Sequence, residues 1–393
     1  MAEKVFQIRD ETRKRCKVFP VDEKTRKKFQ PISMELFHFL FGVPTIGFSV
    51  FFRVGTEMIE FMRKEELSNE LLEQIRDALV HEGADVEVSI LRVDYPRFTE
   101  LMQNMRQKKI EILMERNPEL DRKVLDVFSN LSNASQMVVR GGISSDVALR
   151  VRAAASFAVS NLMDSELAIG TLSRMVIADP TLYDHSASVA MIASVIASKL
   201  MAKPLGAKET ETVAQCALYH DVGKTCVPNH ILNKPGKYTP EEFDVMKTHT
   251  TQGHEELQRC IKEGAPIQDL AARVTLEHHE KFHGGGYPQG RQGRLEENAE
   301  TGIHLFSRIV TIADVYSALL MKRVYKPAYD AQDALKIMAQ MARDFDPDLY
   351  RSFVIAVVKS LNVFQERRKG AKGRILYFDE EGVLKEQEPK RGK

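Results

Sequence analysis

Tryptophan is absent from the 393 residues and cysteine is scarce: Cys16, Cys216, Cys226 and Cys260 are scattered, with no CxxC spacing. That pattern excludes a disulfide framework and a thiolate metal site, and it suits reduced thiols in a cytoplasmic protein. An excess of one charge is missing too. A net charge of +1 supplies no global field toward nucleic acid or a membrane surface. The N-terminal MAEKVFQIRDETRKRCK has no apolar core, so no secretory signal is expected. Long apolar runs are few. The most apolar stretch, MELFHFLFGVPTIGFSVFF (34–52), is interrupted by His38, Gly42, Pro44 and Gly47. Two buried elements with a turn around Gly42–Pro44 are expected there, and no membrane insertion. Histidine is nearly missing from the first 184 residues, which contain His38 and His81 alone.

What is present divides the chain. A hydrophobic share of 43% and a charged share of 28% describe a globular protein long enough for two or three domains. Residues 1–98 read as a small α/β domain. GFSVFFRVG (47–55) and DVEVSILRV (85–93) are strand-like, and SNELLEQIRDALVHEG between them has a Ser68 N-cap and a closing Gly83. Residues 99–145 read as linker helices, beginning with FTELMQNMRQKKIEILMER and stopping near Asn117–Pro118. Such a helix is either a solvated connector or a signalling and dimer helix. Residues 146–372 read as an all-α domain, from the Ala-rich VALRVRAAASFAVSNLM (147–163) and SASVAMIASVIASKLM (186–201) to DAQDALKIMAQMA (330–342). Residues 373–393 form a charged tail expected to contribute little. The fold class expected is mainly α, a helical bundle behind a small α/β domain.

The ionisable residues of the helical part form a suggestive set. His185 stands at the start of an apolar helix, and His220–Asp221 closes another in ALYHDVGK, with Lys224 one turn on. His249 ends VMKTH, His278–His279 ends RVTLEHH, and Asp314 interrupts RIVTIADVYSALL. Each alone has a bland reading: a satisfied core histidine, or a chance His-Asp doublet. Together, five histidines and two aspartates recur at or inside apolar helical segments. A buried carboxylate must be paired or bind metal. The N and O donors suit Fe, Mn, Zn or Ni better than a soft-metal site. Adjacent pairs point about 100° apart on a helix, so each can serve two sides of a cluster.

HDVGK (220–224), VPNHILNKPGKYTPEEFDVMKTH (227–249), HHEKFHGGGYPQG (278–290) and RIVTIADVYSAL (308–319), in this order, resemble the HD-GYP family of the HD superfamily. The resemblance runs from His185 to about Lys326. It implies an all-α phosphodiesterase that hydrolyses cyclic di-GMP to pGpG, and onward to GMP, with a hydroxide bridging two metals. Fe or Mn is the implied pair, with Zn and Ni as further options. It implies His185, His220, Asp221, His249, His278, His279 and Asp314 as metal ligands, with Asp221 as the bridge. Lys224 would lie near the scissile phosphate, and Gly286, Tyr287, Pro288, Arg323 and Lys326 would contact the dinucleotide. Partners implied are cyclic di-GMP, a second copy through the linker helices, and a diguanylate cyclase or other signalling protein. No nucleic acid partner is expected, and the front domain, similar to regions preceding some HD-GYP domains, would be regulatory.

Four positions depart from the family pattern. Thr181 stands where some members have a glutamate that adds a third metal, so two are expected here. His283 replaces an aspartate of the glycine loop, Ser317 replaces the second aspartate of DxxDAL, and the stretch between Gly293 and Arg308 is longer than usual. Ser317 and the longer stretch motivate a rival reading as a receptor that binds a cyclic dinucleotide or protein without turnover. A second rival is a hydrolase of another cyclic dinucleotide.

Overall fold

The computed structural model describes most of residues 17–387. Residues 1–16, 23–24, 26–27, 33–45, 55–56, 63–86, 164, 179–183, 201–202, 233, 235, 294–301, 322–328, 368–374, 379–383 and 388–393 lie outside the described set. The helix expected between the two front strands, the turn at Gly42–Pro44, Thr181, Arg323 and Lys326 therefore lie outside it as well. Two compact units are present: residues 1–109 with 228–238, and residues 110–227 with 239–393.

The first unit holds an antiparallel five-stranded sheet of order β1-β4-β3-β5-β2. Its strands are β1 (Lys17–Pro20), β2 (Phe29–Ile32), β3 (Val50–Val54), β4 (Glu57–Met62) and β5 (Glu87–Leu91). Central β3 pairs with β4 and β5, and Phe52 faces Ile59 and Val88 in the two ladders. Val50, Phe51 and Phe52 are all buried, so both faces of β3 lose solvent, and a continuous apolar run replaces alternation. Phe29, Phe51 and Met58 cluster together. Phe98, near the start of helix α1 (Tyr95–Arg116), meets Phe48 edge to face at 5.7 Å.

The second unit is helical. It contains α2 (Arg122–Gly141), α3 (Ser145–Leu162), α4 (Ala168–Ala178), α5 (His185–Ser198) and α6 (Ala207–Tyr219). Beyond these come α7 (Pro240–Lys247), α8 (His249–Lys262), α9 (Asp269–Glu277), α10 (Leu305–Leu320), α11 (Ala331–Gln340) and α12 (Pro347–Arg367). Helix α5 is the axis. Every residue from Ser186 to Ala197 is buried, and it packs against α6, α10, α2 and α3. A helix apolar on all sides must be enclosed on all sides, and its alanines and serines let neighbours approach closely. Among the described residues, no helix is long and apolar enough to cross a membrane.

Local signals set the helix starts. Asp121 accepts from the amides of Lys123 and Val124, Ser144 from Val147, and Asp184 from Ala187. Thr239 and Glu242 form a capping box, with Pro240 in the first turn of α7. Asp346 caps α12 through the amides of Asp348 and Leu349, while its other oxygen takes a buried ion pair from Arg308 of α10.

Three observations depart from the sequence reading. Helix α2 falls in the expected linker, yet Val124, Leu125, Val127, Phe128 and Leu131 join the helical core. His249 opens α8 instead of ending a helix, because the chain turns at Thr248 after α7. The charged tail contains an antiparallel ladder of β6 (Ile375–Phe378) and β7 (Leu384–Gln387). Helices α4 and α12 lie beyond the segments singled out by periodicity.

Phe353 of α12 is fully buried and meets Tyr316 of α10 edge to face at 5.0 Å. Phe353→Ala is expected to destabilise the helical unit by about 3–5 kcal/mol. Denaturant unfolding followed by far-ultraviolet circular dichroism measures it, and a shift below about 1 kcal/mol would place the ring outside the core.

Candidate metal centre

Four helix ends and one helix interior deliver the polar cluster. His185 opens α5 behind its Asp184 cap, and His220 and Asp221 follow α6. His249 opens α8, His278 and His279 follow α9, and Asp314 lies within α10. All seven converge. The donor atoms of Asp221, His249, His278 and His279 lie within 4.8 Å of one another, as do those of His185, His220 and Asp314.

The two aspartates straddle these groups. Asp221 Oδ2 is 3.3 Å from His220 Nε2 and 3.7 Å from His185 Nε2. Its Oδ1 is 3.4 Å from His249 Nε2 and 3.8 Å from His278 Nε2. Asp314 Oδ1 is 3.0 Å from His185 Nε2, and Oδ2 is 4.0 Å from His279 Nδ1.

The imidazoles are oriented from behind. His220 Nδ1 donates to Ala217 O at 2.7 Å, His249 Nδ1 to Met246 O at 2.7 Å, and His278 Nδ1 to Thr275 O at 2.9 Å. Each partner is the carbonyl three residues earlier. A carbonyl can only accept, so the proton sits on Nδ1 and the Nε2 lone pair faces the cluster. His185 uses another device. Ser317 Oγ lies 3.0 Å from its Nδ1 and also reaches the His185 carbonyl at 3.4 Å. The residue that departs from the DxxDAL pattern thus engages His185, while Lys224 Nζ pairs with Asp221 Oδ2 at 2.5 Å.

Burial and charge divide the titrations. Burial holds His249 and, more strongly, His278 below the ordinary imidazole value, and it pushes His279 down to about 4. His220 is also buried, but the Asp221 carboxylate outweighs burial and raises it. Burial would raise both aspartates; the surrounding imidazoles, with Lys224 at Asp221, hold them below the usual carboxylate range. His220 Nε2 and Asp221 Oδ1 are buried without a hydrogen-bond partner. Orphaned atoms of this kind, inside a hard N/O donor set with neutral imidazoles, fit divalent metal ions.

The glycine-rich stretch folds back over this centre. Tyr287 N donates to His279 O at 3.2 Å, and the Tyr287 ring stacks on His279 at 4.7 Å. A Cβ on Gly286 would lie 2.5 Å from Glu280 Cα, so only glycine permits that approach. Pro288 is exposed at the outer end of the turn. His283 stands apart from both donor groups and donates through Nδ1 to Arg343 O at 2.7 Å, tying the loop to the chain ahead of α12. Gly223 makes a second close approach, because a Cβ there would overlap His249 O at 1.9 Å.

Sequence reasoning passed over Glu277. Its buried carboxylate accepts from Arg273, Arg291, the His304 amide and Ser307, each at 2.9 Å. It joins α9, the glycine loop and α10 immediately behind His278. The available signal was Arg273 four residues earlier on the same helix face.

Comparison with known proteins places these residues in context. A family model described as HD domain matches residues 171–349. A cyclic di-GMP phosphodiesterase of Pseudomonas aeruginosa is 36% identical over 191 residues, 48% of this chain and 42% of that protein. A 3'3'-cGAMP-specific phosphodiesterase of Vibrio cholerae is 38% identical over 146 residues, 37% of this chain and 26% of that protein. The chain thus spans less than half the length of these two relatives. A solved HDGYP protein from Bdellovibrio bacteriovorus has a TM-score of 0.50 at 17% identity, covering 83% of this chain and 98% of that one, and shares the fold.

The depressed imidazoles predict an acid-sensitive metal-free protein. The unfolded chain takes up protons below pH about 6.5, whereas native His249, His278 and His279 resist them, so their stabilisation is lost as pH falls toward 4. His220 acts in the opposite sense, leaving a net loss. Chelator-treated protein is expected to lose about 1 kcal/mol or more between pH 7 and 5. Denaturant midpoints across that range check it; a flat profile contradicts it.

Proposed function

We propose that residues 171–349 form an HD domain of the HD-GYP kind and that the chain is a metal-dependent phosphodiesterase acting on cyclic di-GMP, a reading supported by the family match and the similarity to cyclic di-GMP phosphodiesterases. The observation that carries this reading is Asp221, whose two carboxylate oxygens face two separate sets of histidines. Two divalent ions, Fe or Mn, would supply Lewis-acid polarisation of the phosphodiester and a water acidic enough to attack it at neutral pH. His249, His278, His279 and Asp221 would hold one ion; His185, His220, Asp314 and Asp221 would hold the other. Thr181 brings no carboxylate for a third.

The remaining roles belong to the chain. The backbone carbonyls behind His220, His249 and His278, and Ser317 behind His185, keep the imidazoles oriented without reorganisation. Lys224, beside Asp221, would stabilise negative charge growing on the phosphoryl oxygens. Tyr287 forms a wall beside His279. Arg323 and Lys326, outside the described residues, remain proposed contacts to phosphate or guanine. Cleavage would yield pGpG and then GMP.

The receptor reading rests on Ser317 and the longer stretch between Gly293 and Arg308; Ser317 engages His185, and residues 294–301 of that stretch lie outside the described residues. The other rival, a different cyclic dinucleotide, draws on the similarity to the Vibrio cholerae 3'3'-cGAMP-specific enzyme. Assay of cyclic di-GMP, 3'3'-cGAMP and their linear products with Mn or Fe separates the two.

Asp221→Ala is expected to lower metal content by at least one ion per chain and to cut turnover more than about 100-fold while keeping the helical signal. Metal analysis, product chromatography and circular dichroism on the same preparation provide the check. Normal turnover in this variant would sink the two-metal assignment.

A further inference from the structure

Helix α7 carries an exposed aromatic residue beside the cluster. Phe243 is 45% exposed, and its ring centroid lies 6.1 Å from that of Tyr287, with the planes at 82°. Tyr287 in turn stacks on His279 and lies 6.4 Å from the His249 ring. A ring-to-ring path therefore connects Phe243 to two of the candidate ligands. Single exposed apolar side chains need no explanation, and several others occur on this surface. Phe243 differs because its neighbours lead directly to the centre.

The residue is also held firmly. The capping box of Thr239 and Glu242 fixes the first turn of α7, and Phe243 N donates to Thr239 O at 2.9 Å. Lys247, paired with Asp244, places its ammonium 5.2 Å from the Phe243 ring centroid. Two aromatic planes at right angles, with a cation beside one of them, form a corner suited to a flat base that carries hydrogen-bond acceptors on its edge. The O6 and N7 edge of guanine has that character.

We propose that Phe243 and Tyr287 form a stacking corner for one purine base of a cyclic dinucleotide, with Phe243 setting the preference for purine over pyrimidine. The inference rests on the phosphodiesterase reading for the position of the phosphates. A purine offers a larger π-face than a pyrimidine, so loss of one stacking ring is felt more by the purine ligand. Phe243→Leu retains apolar bulk and removes the ring; Phe243→Trp retains the ring.

The test uses the metal-loaded full chain and phosphorothioate analogues of cyclic di-GMP and cyclic di-UMP, which resist cleavage, in equilibrium titrations. Turnover of authentic cyclic di-GMP is measured in parallel. Phe243→Leu is expected to weaken the purine ligand about tenfold and the pyrimidine ligand markedly less, with Phe243→Trp close to the parent. In turnover, Phe243→Leu is expected to raise KM and leave kcat near the parent value. Equal affinities for parent and Phe243→Leu, alongside cyclic di-GMP turnover, would overturn the stacking corner alone. Equal losses for both ligands would mean bulk packing and would also overturn it. Phe243-dependent purine binding without hydrolysis would overturn the phosphodiesterase reading and leave the corner standing. A parent protein that binds neither ligand overturns both.

Discussion

The Asp221 carboxylate, enclosed by histidines on both of its oxygens, is the constraint on which the helical unit depends. An ionised carboxylate at such depth is costly unless charge or hydrogen bonding surrounds it. His220 and His185 face one oxygen, His249 and His278 the other, and Lys224 adds its ammonium. To supply those partners, the ends of α5, α6, α8 and α9 must meet at one place. The buried character of α5 follows from this, because the axis of the unit is also the element that brings His185 to the centre.

Convergence requires close backbone approach, and glycine provides it at two points. Gly223 lets the turn after Asp221 lie against the start of α8, where any side chain would strike His249 O. Gly286 lets the loop return onto the backbone that follows His279 and sets Tyr287 against that imidazole. Polar ties behind the centre hold these approaches in place. Glu277 gathers donors from α9, the loop and α10, and Arg308 couples α10 to the cap of α12 through Asp346. His283 belongs to this outer support through its bond to Arg343 O.

Much of the centre was legible in the residues. Seven ionisable side chains at the ends of, or inside, apolar helical patterns could not be buried singly, so chemistry required them to meet. The α-helical class was legible because helix periodicity is a local property. His249 was placed at the wrong end of a helix because α7 and α8 share Thr248, and no glycine or proline marks so tight a junction. Glu277 was passed over because one i,i+4 arginine is a weak local signal, and its other partners, Arg291, His304 and Ser307, come from outside α9.

The sequence by itself determined which residue types were available, the helical character of the back of the chain, and the need for a shared polar centre. Those follow from composition, periodicity and the cost of burying charge, all properties of short segments. Only the tertiary structure decided that Asp221 faces two histidine sets, that Ser317 stands behind His185 and Lys224 beside Asp221, and that Phe243 reaches Tyr287 from another helix. Each of these is a relation between segments tens of residues apart or a choice among side-chain rotamers. Such relations are set by packing around α5, which no local pattern encodes.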